Sequence, residues 1–224
     1  MDVKIQAAAV LVAGAVLGSA ALSGCSVGVP DPTARKVEQT VTPLATPTIA
    51  PGHDAEAVAA KDMPFSAGGS LAAGVPVGIS DGLREAPGWR QVKQNVAGES
   101  QYLKADGCLV AAKVRTNQTP LALKDDKEST VGLFTYLDPS ILAGYLKTAS
   151  LRWGGEPGKP GPSTEVLVLE KPGQPGVRST AVMARVFGTA ASSVYISVAC
   201  PDAATLAAAR ADVAKRLVVV PPSN

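Results

Sequence analysis

Histidine is almost absent from this chain of 224 residues, and aromatic residues make up only 4% of it. The single histidine, His53, nearly excludes histidine-based catalytic triads, histidine zinc sites and histidine proton shuttles. Neither positive nor negative residues are in large excess, because the formal net charge is only +2. A nucleic-acid-binding domain usually carries a clustered basic stripe, and the sequence shows none. No nucleic-acid partner is therefore expected.

Sequence motifs for nucleotide binding, calcium binding and serine hydrolysis are also missing. The Gly-rich segment 154–162 has a proline where a phosphate-binding loop needs a serine or threonine. The acidic residues Asp125, Asp126 and Glu128 alternate with lysines and lack the spacing of a calcium loop. The sequence therefore assigns no catalytic residue, no metal-binding residue and no cofactor.

An uncharged apolar segment occupies residues 5–24 and ends in small residues directly before a cysteine. Its Ala, Gly, Val and Ser content favours a cleaved signal peptide over a membrane-spanning helix. Its end, Leu22-Ser23-Gly24-Cys25, resembles the lipobox of bacterial lipoproteins. The resemblance implies that residues 1–24 are removed and that Cys25 carries a diacylglycerol. The alternative is an uncleaved anchor helix with an incidental cysteine.

Proline and threonine are interleaved after this cysteine, and no hydrophobic period is sustained up to about residue 62. Such a composition buries too little apolar surface to offset the entropy lost on folding. Residues 25–62 are therefore predicted to be a disordered, lipidated tether, with a short helix at about 54–61. Residues 63–224 are predicted to form a single extracytoplasmic domain.

Alternating and apolar runs predict strands in this domain at 108–116, 165–170, 180–187 and 193–200. Weaker strand signals lie at 75–80 and 89–96. Short Gly-containing turns between successive strands favour antiparallel pairing. The expected fold class is α+β, an antiparallel sheet with two or three helices packed on it.

Capping residues predict where those helices begin. One helix is expected after Asp202, one after Asp138-Pro139, and a third at Asp125. Each start is followed by apolar residues at helical spacing. In the order just given, the apolar stripes are Leu206, Ala209, Val213 and Leu217; Leu142, Tyr145, Leu146 and Ala149; and Val131, Phe134 and Leu137.

Two cysteines remain once Cys25 is assigned to the lipid, and an even number in an exported chain favours one disulfide. Strand alternation places Cys108 on the same face as Val110 and Ala112, and Cys200 on the same face as Val198. Both thiols therefore face apolar surroundings and can meet in the core. The alternative is a pair of buried free thiols.

The lipobox, the tether and the strand–helix order together resemble those of actinobacterial lipoproteins. Among these, the LpqN-type lipoproteins have a fold like that of the Mog1/PsbP family. The resemblance implies a lipid-anchored protein on the extracytoplasmic face of the cell membrane. Membrane lipid is then a partner through acylated Cys25.

The expected function is a non-catalytic binding or assembly module for an envelope protein or a small hydrophobic ligand. Trp89 and Trp153 are either core residues or side chains that stack on such a ligand. The alternative function is an exported enzyme whose carboxylate or Ser/Lys site is assembled only in the fold. The sequence assigns no oligomeric state.

Overall fold

A computed structural model of the protein describes residues 54–223. The predicted signal peptide, Cys25, His53 and most of the predicted tether lie outside the described residues. None of the helices in residues 54–223 is long and apolar enough to cross a membrane. Every element described below belongs to one compact unit, Ala45–Asn224.

Within residues 54–223, nine strands form one curled sheet. The strands are β1 (Gly78–Ile79), β2 (Trp89–Val96), β3 (Glu99–Lys104), β4 (Leu109–Arg115), β5 (Lys147–Trp153), β6 (Ser163–Lys171), β7 (Ser179–Phe187), β8 (Ser192–Cys200) and β9 (Val218–Val220). Their order in space is β1-β9-β5-β6-β7-β8-β4-β3-β2. The curl brings the edge strands β1 and β2 to opposite sides of one cavity.

Neighbouring strands pair antiparallel except β5 and β9, which pair in parallel. The predicted α+β class is confirmed, with a mixed sheet in place of a purely antiparallel one. The four strong strand predictions correspond to β4, β6, β7 and β8. The weaker signal at 89–96 corresponds to β2, and the one at 75–80 contains only the short β1. Strands β3, β5 and β9 were not predicted.

Three α-helices occur among the described residues: α1 (Ala55–Ala59), α2 (Asp126–Leu137) and α3 (Ala203–Arg216). Four short 3₁₀ helices, Phe65–Ser70, Gly82–Glu85, Thr119–Leu121 and Ala143–Tyr145, lie between strands or helices. The α3 helix begins where the sequence predicts, because the Asp202 carboxylate accepts a hydrogen bond from Thr205 N at 2.8 Å. Its predicted apolar stripe is confirmed and packs on the sheet face that carries the cysteines.

The α2 helix also begins as predicted, with the Asp125 carboxylate accepting a hydrogen bond from Glu128 N at 2.8 Å. Its buried face differs from the expected stripe, because Leu137 is half exposed. The buried residues are Asp126, Ser129, Thr130, Leu133 and Phe134. Three of these are polar, so the buried face of α2 cannot be identified from apolar spacing alone. The helix packs against β7 and β6 on the face opposite α3.

The prediction of a helix after Asp138-Pro139 is wrong, because residues 147–153 form β5. In β5, Leu151 and Trp153 are buried while Thr148 is exposed, so burial alternates along the strand. The helical spacing of the apolar residues from 142 to 149 is coincidental, since it spans a 3₁₀ turn and the start of a strand. Pairing with β6 and β9 decides the local structure here.

The Sγ atoms of Cys108 and Cys200 are 2.02 Å apart, at disulfide distance. The two residues lie at the adjoining ends of the antiparallel pair β4 and β8. Val110 and Val198, which share a face with the cysteines, are fully buried as strand alternation predicts. A disulfide at this point joins the start of β4 to the end of β8, the strand that precedes α3.

Residues 54–62, which composition assigns to the end of the tether, contact the domain. The Asp54 carboxylate caps α1 by accepting a hydrogen bond from Ala57 N at 2.9 Å. Trp153 Nε1 donates to the Val58 carbonyl at 3.1 Å, and Ser163 N donates to Asp62 Oδ1 at 2.7 Å. The ordered contacts of the domain therefore include residues from Asp54 onward.

Candidate functional site

The two tryptophans lie in the core and line neither of the two cavities described below. Trp153 is fully buried and stacks on Phe187 with ring centroids 5.9 Å apart. Trp89 is buried beneath α3, where its Nε1 donates to Asp212 Oδ2 at 2.9 Å. Both indole N–H groups are satisfied within the protein. Trp89 and Trp153 therefore occupy the core, which is one of the two roles predicted for them.

The guanidinium of Arg185 is fully buried at a place where β6 and β7 separate. The paired positions of these strands stop at Leu167 and Ala184, one residue before Arg185. Beyond that point Met63 pairs with the start of β6, donating through its N–H to Ser163 O at 2.7 Å. The Arg185 side chain fills the space opened by this insertion.

The hydrogen-bond donors of Arg185 are distributed over the surrounding segments. Nη1 donates to Met63 O at 2.6 Å and to Thr164 Oγ1 at 3.0 Å, and Nη2 donates to Pro64 O at 3.0 Å. Nε and Nη2 both donate to Asp126 Oδ2, at 3.3 and 2.8 Å. All three guanidinium nitrogens are thus engaged, and no donor is left for a ligand.

Aromatic rings complete the environment of this guanidinium. Its central carbon lies 4.8 Å from the Phe65 ring centre and 4.6 Å from the Phe187 ring centre. Burial lowers the pKa of Arg185, and the hydrogen bonds and charge of Asp126 oppose that change. The Arg185–Asp126 pair therefore joins segments of the fold and is not an open functional site.

An open groove lies on the opposite side of α2, between this helix and strands β3, β4 and β8. We call it the α2 groove, and its cavity volume is about 320 Å³. Its lining is mainly apolar, with hydroxyl groups and a few charges. The lining residues are Glu99, Ala111, Lys113, Arg115, Gln118, Leu121, Leu133, Tyr136, Leu137, Ser193, Tyr195 and Ser197.

Strand register explains why these residues meet. On β4 and β8, Lys113 lies opposite Tyr195 and Arg115 lies opposite Ser193. These positions point away from the face that carries Cys108, because side chains alternate along a strand. The α2 helix covers β7 and β6 but leaves this half of the face uncovered, so the side chains of β4 and β8 border the groove.

The charged wall of the groove is organised around Glu99. Its Oε1 accepts hydrogen bonds from Gln101 Nε2 at 2.7 Å and from Lys93 Nζ at 3.0 Å. These hydrogen bonds lower the pKa of Glu99. Lys113 Nζ lies 3.5 Å from Glu99 Oε2, whereas Arg115 has no ion-pair partner among residues 54–223. The guanidinium of Arg115 is therefore the cation most available to an incoming anion.

The aromatic wall consists of two tyrosines. Tyr136 on α2 is 77% exposed, which is unusual for a large aromatic side chain. Tyr195 on β8 is partly buried, and burial raises the pKa of its phenol. Tyr195 therefore stays neutral at physiological pH and offers an apolar ring together with a hydroxyl group.

A second cavity of about 390 Å³ lies at the C-terminal end of α2. It shares three lining residues, Leu137, Tyr195 and Ser197, with the α2 groove. Its other lining residues are Phe134, Asp138, Ile141, Leu169, Lys171, Thr180, Val182, Val198 and Ala199. The two cavities therefore adjoin along β8.

Sequence reasoning did not find this site. None of the predicted site residues Trp89, Cys108, Trp153 and Cys200 lines either cavity, and Cys25 lies outside the described residues. The available signal was that lysine and arginine alternate with apolar residues in β4, on the face away from Cys108. No group of three or more potential metal ligands occurs within the described part of the chain.

No family model matches this chain, and no curated protein matches it. The resemblance to lipobox lipoproteins is therefore carried by the residues quoted for it.

Proposed function

We propose that this chain is a lipoprotein anchored to the extracytoplasmic face of the cell membrane through acylated Cys25. The uncharged segment 5–24 and the motif Leu22-Ser23-Gly24-Cys25 support the anchor. Two acyl chains on one residue hold a protein on a bilayer far more durably than a single chain does. The cysteine pair at disulfide distance is typical of an exported domain.

The domain, in this proposal, is a non-catalytic binding module. The observation that carries it is the α2 groove, an open, mainly apolar cavity with a few polar groups on one wall. On the α2 side of the groove, the exposed Tyr136 and the half-exposed Leu137 present apolar surface to water. Such surface at a cavity is typical of a binding site.

A second candidate function is an exported hydrolase, because Lys113 and Ser197 both line the groove. A lysine acts as a base only in its neutral form, which burial in an apolar environment favours. The Lys113 amino group is instead paired with the Glu99 carboxylate, with Nζ 3.5 Å from Glu99 Oε2. Ser193, the other serine that lines the groove, is buried and donates a hydrogen bond to Gln118 Oε1 at 3.4 Å. The geometry thus favours binding over nucleophilic catalysis.

Intact-mass measurement of the protein from the membrane fraction tests the anchor. We expect a mature chain that begins at Cys25 and carries acyl groups, and we expect Cys25→Ala to remain uncleaved and unacylated. A mature wild-type chain without any acyl group contradicts the anchor. So does a Cys25→Ala chain with the acylated mass.

Native mass spectrometry of residues 45–224, incubated with envelope extract, tests the binding module. This part of the chain contains both hydrophobic clusters and the cysteine pair and forms a compact unit by itself. We expect a bound small-molecule mass that Leu137→Asp removes. Leu142→Asp is the matched control, because Leu142 is 58% exposed, Leu137 is 50% exposed, and only Leu137 lines the groove. Equal binding by both variants, or no bound mass, contradicts the proposal.

Hydrolysis of a p-nitrophenyl ester separates the second candidate from the first. The binding module predicts no turnover above that of Ser197→Ala. Turnover that depends on both Ser197 and Lys113 supports the hydrolase instead.

A further inference from the structure

We propose that the α2 groove binds a single-chain anionic amphiphile, with its charged head at Lys113 and Arg115 and its acyl chain along the apolar wall. The inference rests on the proposed binding function and names the class of ligand. It follows from three features of the groove: the chemistry of its ends, its length and its charge.

The ends of the groove differ in chemistry. Arg115 and Lys113 lie toward the end of β4 that pairs with the start of β8. Tyr195 lies opposite Lys113 and so borders this charged end, whereas the lining farther along β8 includes Ala111, Ser197 and Leu137 of α2. A ligand that satisfies both ends must be charged at one end and apolar along its length.

The length of the groove matches one acyl chain. The α2 groove and the adjoining cavity together follow β8 from Ser193 to Ala199. The six residue-to-residue steps from Ser193 to Ala199 extend about 20 Å. An acyl chain in one leaflet spans about half of the 30 Å hydrocarbon core, so about 15 Å. A single chain can therefore lie along the two cavities without bending back on itself.

The charge of the groove favours an anion. Its charged lining comprises the cations Lys113 and Arg115 and the carboxylate Glu99, and the adjoining cavity adds Lys171 and Asp138, which lie 3.9 Å apart as an ion pair. Glu99 is already engaged by Lys93 and Lys113, so it does not neutralise Arg115. An arginine guanidinium binds a carboxylate or phosphate through two parallel hydrogen bonds, which fixes the head group in place.

Fluorescence titration of residues 45–224 with cis-parinaric acid, below its micelle concentration, tests this inference. We expect saturable binding of one molecule per protein. Arg115→Gln is expected to weaken binding of the acid about tenfold or more. Binding of the methyl ester of the same chain should be weaker than that of the acid and insensitive to Arg115→Gln.

Matched variants separate the groove from the rest of the surface. Leu137→Asp should abolish binding of the probe, while Leu142→Asp should not. Lys159→Gln is the control for loss of a cation, because Lys159 is exposed and lines neither the α2 groove nor the adjoining cavity. Circular dichroism of each variant establishes that it is folded.

The outcomes distinguish this inference from the proposed function. Equal affinity for the acid and the ester, or an unchanged affinity in Arg115→Gln, overturns the anionic amphiphile. If the probe does not bind but Leu137→Asp still removes a mass acquired from envelope extract, the binding module stands and the ligand class is wrong. If neither binds, both proposals fail.

Discussion

Arg185 shows how a single charged side chain can determine where several segments meet. It is fully buried, and it donates to the carbonyls of Met63 and Pro64, to the hydroxyl of Thr164 and to the carboxylate of Asp126. Burying an ion is costly unless its partners are complete, and here all the guanidinium nitrogens are engaged. The segment that follows α1 and the first turn of α2 are therefore held at one point.

Removing the Arg185 charge should be strongly destabilising. We expect Arg185→Met to lower the free energy of unfolding by about 3–5 kcal/mol, because Asp126 is then buried without its cation. The double variant Arg185→Met/Asp126→Asn should be destabilised by less than the sum of the single variants. Guanidinium chloride unfolding of residues 45–224 measures all three. Arg185→Lys, which keeps the charge but loses the planar geometry, replaces Arg185→Met if the latter does not fold.

The expected coupling has a clear contrary outcome. If the losses of unfolding free energy in the two single variants add up to the loss in the double variant within about 0.5 kcal/mol, the Arg185 and Asp126 side chains act independently. The proposed stabilisation by their ion pair would then be wrong.

Gly68 is constrained by the same carboxylate. A Cβ atom at Gly68 would overlap the Asp126 carboxylate, whereas a Cβ at the neighbouring Gly69 would have no heavy atom within 4 Å. We expect Gly68→Ala to cost about 1–3 kcal/mol of unfolding free energy. Gly69→Ala, the matched control, should stay within about 0.5 kcal/mol of wild type. Thermal unfolding of the two variants compares them directly, and equal melting temperatures would contradict the proposed overlap.

The sequence could not predict the role of Arg185. It lies in the strand predicted at 180–187, on the same face as the buried Met183 and Phe187, and its position in the sequence identifies none of its hydrogen-bond partners. Three of its partners are distant in sequence, because Asp126 is 59 positions away and Met63 and Pro64 are more than 120 positions away. The separation of β6 and β7 opens the space that the Arg185 side chain fills, and no local pattern encodes that separation.

At the scale of elements, capping residues were better predictors than apolar spacing. Asp125 and Asp202 cap α2 and α3 as predicted, because each carboxylate accepts a backbone hydrogen bond three residues ahead. Asp138 has the same kind of signal, yet it lies at the C-terminal end of α2 and accepts from Ser140 in a turn. A cap signal therefore predicts a helix only where tertiary contacts do not pair the following residues into a sheet.

Asp212 connects α3 to the strands beneath it. Its Oδ2 accepts from Trp89 Nε1 and from Lys104 Nζ, each at 2.9 Å. Burial alone raises the pKa of Asp212, but hydrogen bonds from Lys104 and Trp89 and nearby positive charges outweigh it and lower the net pKa. The folded state thus favours the ionised carboxylate, and both contacts depend on that charge.

This lowered pKa predicts how stability varies with pH. A carboxylate whose pKa is lower in the folded state contributes stability above its unfolded pKa, and the contribution is lost as pH falls through the folded value. We expect the stability difference between wild type and Asp212→Asn to be about 1 kcal/mol at pH 7 and to shrink below about pH 4. Urea unfolding of both proteins from pH 7 to pH 3 measures it. A difference independent of pH would show that ionisation of Asp212 plays no part.

At the scale of the whole molecule, the fold class was predictable and the candidate site was not. The paired strands β6, β7 and β8 are consecutive, so local alternation and turns suffice to predict them. The α2 groove combines β4, α2 and β8, which are separated in sequence and brought together only by the strand order. Its residues Lys113, Tyr136 and Tyr195 carry no motif that would mark them in the sequence.

The cysteine pair links β4 to β8 and closes a loop with a sequence separation of 92. Closing a loop of this length restricts the unfolded chain, and the chain-entropy estimate of the stabilisation is about 4–5 kcal/mol. We therefore expect reductant to lower the guanidinium chloride midpoint of residues 45–224 substantially. The double variant Cys108→Ala/Cys200→Ala should be less stable than oxidised wild type and insensitive to reductant.

Thiol titration of the folded wild-type protein should find no free cysteine. Two reactive thiols, or a midpoint that reductant leaves unchanged, would show that the residues are buried free thiols and that apolar packing alone holds β4 against β8.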